Sequence, residues 1–291
     1  MTVLVGHPPR PHDRSAISYG AMLARSLGTG LHVMTVVPAA WPTLLSGNVD
    51  KEFAAWSRAE GHRAVAGAET VLLEVAADLD HSAEAVSGRS VPATILRRAR
   101  DIDARVVVLG SSGNGPWDRV VVGAIADHLL HASPIPVAVA TRGFATHARS
   151  RFSRATCAFR GDRESERALH RTAEICAEVG ADLRIATFGV EGRTMYPPEV
   201  RGEEDVLAAY VEQAEAAQQR ALAGLPEAPA CSTVVATGPT WGEAVGSLDW
   251  RDDEILVLGS SAGGVLARVF LGSNATRIVR HSRVPVVVVP G

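Results

Sequence analysis

A unit of buried strand, glycine-bearing loop, helix and buried strand occurs twice in this chain, and that repeat limits the fold more than any other feature. The later copy runs Glu254-Ile255-Leu256-Val257-Leu258-Gly259-Ser260-Ser261, then Gly272-Ser273-Asn274, then Val284-Pro285-Val286-Val287-Val288-Val289. The earlier copy runs Arg105-Val106-Val107-Val108-Leu109-Gly110-Ser111-Ser112, then Gly123-Ala124, then Ile135-Pro136-Val137-Ala138-Val139. Gly110 and Gly259 stand 149 positions apart, as do Gly123 and Gly272, and Pro136 and Pro285. A constant offset across three marks is the sign of an internal duplication. The runs 106–109 and 255–258 are too short for a free helix and too continuous for a half-exposed strand. They suit strands of a parallel sheet covered on both faces. Proline is tolerated at the first residue of such a strand.

The remaining pattern alternates in the same way. Strands are expected at 3–6, 31–37, 81–86, 105–109 and 136–140, with helices from Asp13, over 50–78, 91–99 and 123–132 between them. Asp13 or Ser15 is the candidate cap of the first helix, and Ser90 with Pro92 that of the third. The second half repeats the order, with strands at 155–159, 183–188, 231–237, 255–258 and 286–289 and helices at 165–180, 203–224, 240–248 and after Gly272. Gly28, Leu31 and Thr35 match Gly180, Leu183 and Thr187 at an offset of 152. Such alternation implies two doubly wound α/β domains, each with a five-stranded parallel sheet flanked by helices. The expected boundaries are residues 1–141 and 152–291, with 142–151 as linker.

Several function classes are excluded by what the chain carries. A net charge of -3 gives no electrostatic footprint for nucleic acid or an anionic membrane. No apolar run approaches the ~20 residues of a membrane span, and no signal peptide leads the chain, so a cytoplasmic protein is expected. Cys157, Cys176 and Cys231 are odd in number and far apart, which reads as buried small side chains rather than disulfides or a zinc site. His128, His131 and His281 have no carboxylate or cysteine pattern around them, so no metal is expected. Lys51 is the only lysine, so there is no P-loop, and the turn after the first strand lacks G-x-G-x-x-G. Residues 259–263 match G-x-S-x-G, but beyond Ser261 the chain has no acidic residue and one histidine, His281. A serine hydrolase acting through Ser261 therefore ranks as a distant third reading.

Gly110-x-x-Gly113, nine residues and Gly123 in the first half, and Gly259-x-x-Ala262, nine residues and Gly272-Ser273 in the second, resemble the loop pattern of universal stress proteins. The resemblance covers nearly the whole chain and has the form of a tandem, actinobacterial member with a Rossmann-like, adenine-nucleotide-hydrolase-like fold. It implies a non-catalytic stress-response regulator that binds adenine nucleotide, ATP, with at most slow hydrolysis. The implied ligand-holding residues are Gly110, Ser111, Gly113, Gly123 and Ala124 in one half and Gly259, Ser260, Gly272, Ser273 and Asn274 in the other. It also implies an intrachain pseudo-dimer through the last strand of each half, and allows a homodimer of the chain. The sequence departs from the family pattern at several points. Ala124 stands where a hydroxyl is expected and Ala262 where the second glycine is expected. Pro8 and Arg160 fall where an aspartate would end the first strand; Asp162, two residues on, is a candidate substitute. Weak or degenerate nucleotide binding follows from these departures. The alternative is a protein-interaction scaffold without nucleotide, its partner unnamed by the sequence. Trp117 is a candidate cover for a base, and Arg268 a candidate phosphate contact.

Overall fold

The computed structural model describes residues 1–11, 13–40, 48–145, 149–190, 203–225, 230–263, 268–270 and 272–290, the side chains of 48–49, 203–205, 261–263 and 268–270 aside. The chain divides into two compact units, Met1–Arg151 and Phe152–Gly291. Unit 1 contains β1 (Thr2–Gly6), α1 (Ser15–Leu27), β2 (Gly30–Pro38), α2 (Asn48–Val75), β3 (His81–Gly88), α3 (Val91–Asp101), β4 (Ala104–Leu109), α4 (Ala124–Ala132) and β5 (Val137–Val139). Its strands lie in the order β3-β2-β1-β4-β5, and every neighbouring pair is parallel. Val3, Leu4, Val5, Val107 and Val108 are fully buried, as strands covered on both faces require.

Unit 2 repeats this with β6 (Arg154–Ala158), α5 (Arg163–Val179), β7 (Asp182–Val190), α6 (Glu203–Ala223), β8 (Cys231–Gly238), α7 (Trp241–Gly246), β9 (Glu254–Gly259), β10 (Ser261–Gly263), β11 (Arg268–Phe270), α8 (Ser273–His281) and β12 (Val286–Val289). The parallel order is β8-β7-β6-β9-β12. The five-stranded parallel sheet expected of each half is present in both. Strand order reverses between β1 and β4, and between β6 and β9. That is where an open α/β sheet leaves a crevice at its carboxyl end.

The duplication reaches down to single residues. Gly28 and Gly180, with φ of 62° and 72°, end α1 and α5 in the left-handed cap conformation. Two local expectations are corrected. Neither Asp13 nor Ser15 is the cap of α1: Arg14 is, and Asp13 Oδ1 instead accepts the Ser15 N–H at 3.0 Å. The glycine loop of unit 2 is not irregular throughout. β10 and β11 pair antiparallel within it, with Ser261 opposite Phe270 and Gly263 opposite Arg268. A strand that runs on into another strand is not the strand-to-helix turn a nucleophilic serine needs.

At the amino ends of β6, β7 and β9 lies a buried ionic group that the apolar pattern does not announce. Glu254 is fully buried and accepts from Arg154 Nη2 at 2.5 Å and Arg184 Nη2 at 2.6 Å. Register brings the three together, since Arg154 pairs with Glu254 and Arg184 with Thr156. Thr156 is bonded to both Glu254 and Arg184, Arg184 Nη1 donates to Asp249 O at 3.1 Å, and the Arg184 guanidinium lies 5.1 Å over the Trp250 ring. Burial pulls the Arg184 pKa down, and the Glu254 charge opposes that.

All three cysteines lie in unit 2. Burial pushes the Cys157 and Cys176 thiols up to about 12, so both are inert small hydrophobes at neutral pH.

Candidate functional site

In unit 2 the chain leaves β6 through Phe159, Arg160 and Gly161 and enters α5. Asp162 caps that helix: its Oδ1 accepts the Ser165 N–H at 2.8 Å, and the Ser165 hydroxyl accepts the Asp162 N–H at 3.2 Å. The other Asp162 oxygen pairs with Arg160. Asp162 is therefore committed to its own turn and to Arg160.

Beside this turn opens a cavity of about 540 Å³ at the carboxyl ends of β6 and β7. One wall is α6, where Ala214, Ala216 and Ala217 are small and Tyr210, Gln213 and Arg220 stand between them. Buried Gln218 fixes that wall by donating to Thr187 Oγ1 at 2.9 Å and Val234 O at 2.8 Å. Phe159, Phe188, Trp241 and Ile278 give the cavity flat apolar surface. Asn274, second residue of α8, closes the far side. The α8 N-cap is Gly272, without a side-chain cap, and the first turn holds no acid. Its first amides are thus available, at the positive end of the helix dipole, to an anion. The Arg160 guanidinium reaches toward that helix end: a Cβ built on Gly272 would stand 3.8 Å from Arg160 Nη1.

In unit 1 the corresponding turn is tied to α2 by an ion pair. Arg10, in the turn after β1, donates to buried Glu60 of α2 at 2.9 Å, and Arg63 holds the same carboxylate. The loop after β4 is bonded internally. Gly113 lies in a turn closed by Gly115 N–H to Ser112 O, and Ser112 N–H donates to Val121 O at 2.8 Å. Asp118 N–H donates to Arg142 O, and Arg142 N–H to Arg119 O. The Arg142 guanidinium lies 4.6 Å over Trp117. Gly143, at φ +78°, leaves the space Trp117 occupies, where a Cβ would come within 2.2 Å of the ring. Trp117 is thus held by residues 142–143 at its own loop. Asp13 Oδ2 accepts the Gly143 N–H at 3.1 Å, and Phe144 packs edge-on to buried Tyr19 at 5.5 Å.

Ser111 and Ser260 do the same work in each unit. Ser111 Oγ donates to Ala140 O at 2.9 Å and Ser260 Oγ to Val289 O at 3.1 Å, a pair repeated at the offset of 149. Both hydroxyls fasten the loop to the end of the last strand. Gly110 follows β4 and Gly259 is the last residue of β9, each at the start of its loop; Gly123 is the N-cap of α4, and Ala124 opens that helix. Ser273 opens α8 and is exposed. The side chains of Ser261, Ala262 and Arg268 lie outside the described residues. Among the described residues no cluster of histidine, cysteine and acid could hold a metal, and no helix is long and apolar enough to cross a membrane. His131 Nδ1 is bonded to Asp127 O at 2.6 Å within α4.

His7, at the end of β1, is buried, and burial lowers its pKa from 6.5 to about 4 against the opposing pull of Asp13. Between those values the unfolded chain binds a proton that the folded one refuses. Stability attributable to His7 is intact above 6.5 and falls as pH drops toward 4. The loss is at most roughly 3 kcal/mol. Unfolding midpoints at pH 7 and 4.5 should converge for His7→Gln relative to wild type. An equally steep acid loss in the variant would clear His7 of the effect.

Comparison with known proteins decides the family. The model of the universal stress protein family matches residues 1–141 and again 151–290. The chain belongs to the universal stress protein family. A universal stress protein of Mycobacterium tuberculosis is 37% identical over 294 residues, covering all of both chains. A second from that organism is 27% identical over 267 residues, 89% of this chain and 86% of that one. The crystal structure of a universal stress protein from Archaeoglobus fulgidus has the same fold, with a TM-score of 0.59 at 17% identity, over 99% of this chain and 98% of that one.

Against the family loop pattern, the two universal stress protein units have diverged. The loop with three glycines is bonded internally, and the unit with Ser273 and Asn274 carries the 540 Å³ cavity. Tyr210, Arg220 and Trp241 border that cavity and were not among the sequence candidates. The run Ala214, Ala216, Ala217 on α6 is the signal that pointed to them, because a helix of alanines beside a ligand crevice leaves room.

Proposed function

We propose that this universal stress protein is a non-catalytic, cytoplasmic regulator that binds an adenine nucleotide in unit 2. The observation that carries the reading is the 540 Å³ cavity at the carboxyl ends of β6 and β7, bordered by Asn274 in the uncapped first turn of α8. Its flat apolar surface suits a base, and the α8 amides suit phosphate. Unit 1 serves as the non-binding half in this reading, since Ala124 stands at its helix start in place of a hydroxyl and its β4–α4 loop is bonded to itself and to residue 142. Ser111 and Ser260 are left out of the ligand set, because their hydroxyls are spent on strand-end carbonyls.

Calorimetry with ATP on nucleotide-stripped protein tests this. Ser273→Asp places an acid in the first turn of α8, which favours the helix and repels phosphate. Micromolar binding is expected in the wild type, a loss of about tenfold or more in Ser273→Asp, and no change in Gly113→Val. Absence of binding up to millimolar ATP would leave the scaffold reading. Loss in Gly113→Val alone would move the site to unit 1.

A further inference from the structure

The cavity of unit 2 is basic on one side. Arg160 and Arg220 both border it, and among the described residues that line it there is neither aspartate nor glutamate. Arg160 has one acidic partner, Asp162, whose second oxygen is held by the α5 cap. Arg220 has no acidic partner among the described residues. Two backbone carbonyls that could accept from a sugar hydroxyl each already hold one donor. Phe188 O accepts from Tyr210 at 3.0 Å, and Phe159 O accepts from Thr187 at 2.9 Å. The charged chemistry offered to a ligand is therefore cationic, and the hydroxyl acceptors on the lining side chains are neutral, the amides of Gln213 and Asn274 among them.

We infer that this cavity selects its ligand by phosphate charge and is indifferent to the sugar hydroxyls, with Arg160 as the residue that sets the preference. The inference rests on the nucleotide reading above and goes further than it. A guanidinium held between a helix amino end and a carboxylate partner can swing one fork onto phosphate oxygens, where its bonds are charge-assisted. A neutral nucleoside gives those cations nothing to pair with, so burying their hydration is uncompensated. A 2′-hydroxyl finds no carboxylate to donate to, so its removal costs little.

Titration of the full chain with adenosine, AMP, ATP and 2′-deoxy-ATP, each at two salt concentrations, tests the inference. Affinity should rise by about tenfold or more from AMP to ATP, and fall with added salt. ATP and 2′-deoxy-ATP should agree within about threefold, since no buried acceptor is left unpaired. Arg160→Gln should lower ATP affinity by about tenfold and flatten the difference between ATP and AMP. Arg220→Gln, on an exposed stretch of α6, should move ATP in the same direction without disturbing the turn after β6. ATP binding that exceeds 2′-deoxy-ATP by about a hundredfold would overturn the inference, because a hydroxyl reader would then be present. So would adenosine bound as tightly as ATP, or an Arg160→Gln profile identical to wild type. Each of those outcomes leaves the nucleotide reading standing. No binding of any of the four ligands removes both.

Discussion

Glu254→Ala is expected to destabilise unit 2 by about 3–5 kcal/mol, the cost of leaving buried charge without its partner. Glu254 is fully buried, and Arg154 and Arg184 are 8% and 7% exposed. With the carboxylate gone, two like charges remain side by side at the start of the sheet, and the Thr156 and Asp249 O contacts can satisfy only part of Arg184. The pull of burial on Arg184, now opposed chiefly by Glu254, would add to the repulsion of Arg154, with only the Asp249 charge still against them. Glu254→Gln keeps the shape and some hydrogen bonds but not the charge, so it should fall between wild type and alanine. Hydrogen exchange at the amides of β6, β7 and β9, followed beside chemical denaturation, reads the loss where it arises. Replacing Arg154, Arg184 and Glu254 together with apolar residues of similar size should recover much of it, since pairing offsets only the desolvation it creates. A triple variant as unstable as Glu254→Ala would mean that the cost lies in packing around Trp250 and not in charge.

This group also marks where reading the chain from its residues succeeds and where it stops. The strands were legible because runs such as 106–109 and 255–258 have one structural use, and because glycines at matched offsets fixed their ends. Gly28 and Gly180 could be placed as helix stops because a left-handed cap favours glycine. Arg154, Arg184 and Glu254 were not legible as a group. Each stands near the start of its strand, where a charged residue ordinarily faces water, and only the register of β6 against β7 and β9 brings them into contact. The same holds for the ligand region. The repeated serines were visible, but whether a hydroxyl turns toward a ligand or toward the carbonyl 29 residues on depends on how β5 and β12 end. The glycine count favoured unit 1 as a binding site, and the hydroxyl of Ser273 favoured unit 2. In unit 1 Arg10 meets Glu60 across 50 residues, and in unit 2 alanines of α6 line the cavity. Neither belongs to the loop motif.

The two glycines that began the comparison give the second large effect. A Cβ on Gly259 would stand 2.8 Å from Glu164 O and 3.0 Å from Ala168 Cβ, both on α5. On Gly110 the nearest atom is Ala16 Cβ at 3.7 Å, an ordinary contact. Glu164 O is backbone of a helix and cannot rotate away, so Gly259→Ala must push α5 off the sheet. Overpacking of this kind costs about 1–3 kcal/mol, whereas Gly110→Ala should change stability by about 0.5 kcal/mol or less. Thermal unfolding of both variants measures the contrast, and equal losses would show that α5 sits no closer than α1 in solution. The consequence for binding differs as well. Asp162 caps α5 and holds Arg160, so a shift of that helix carries the arginine with it. Gly259→Ala should therefore weaken ATP binding while Gly110→Ala does not, although the two glycines occupy the same place in the repeat. Duplicated loops of one sequence pattern have thus taken on unequal mechanical demands, and the demand is set by how closely the neighbouring helix approaches.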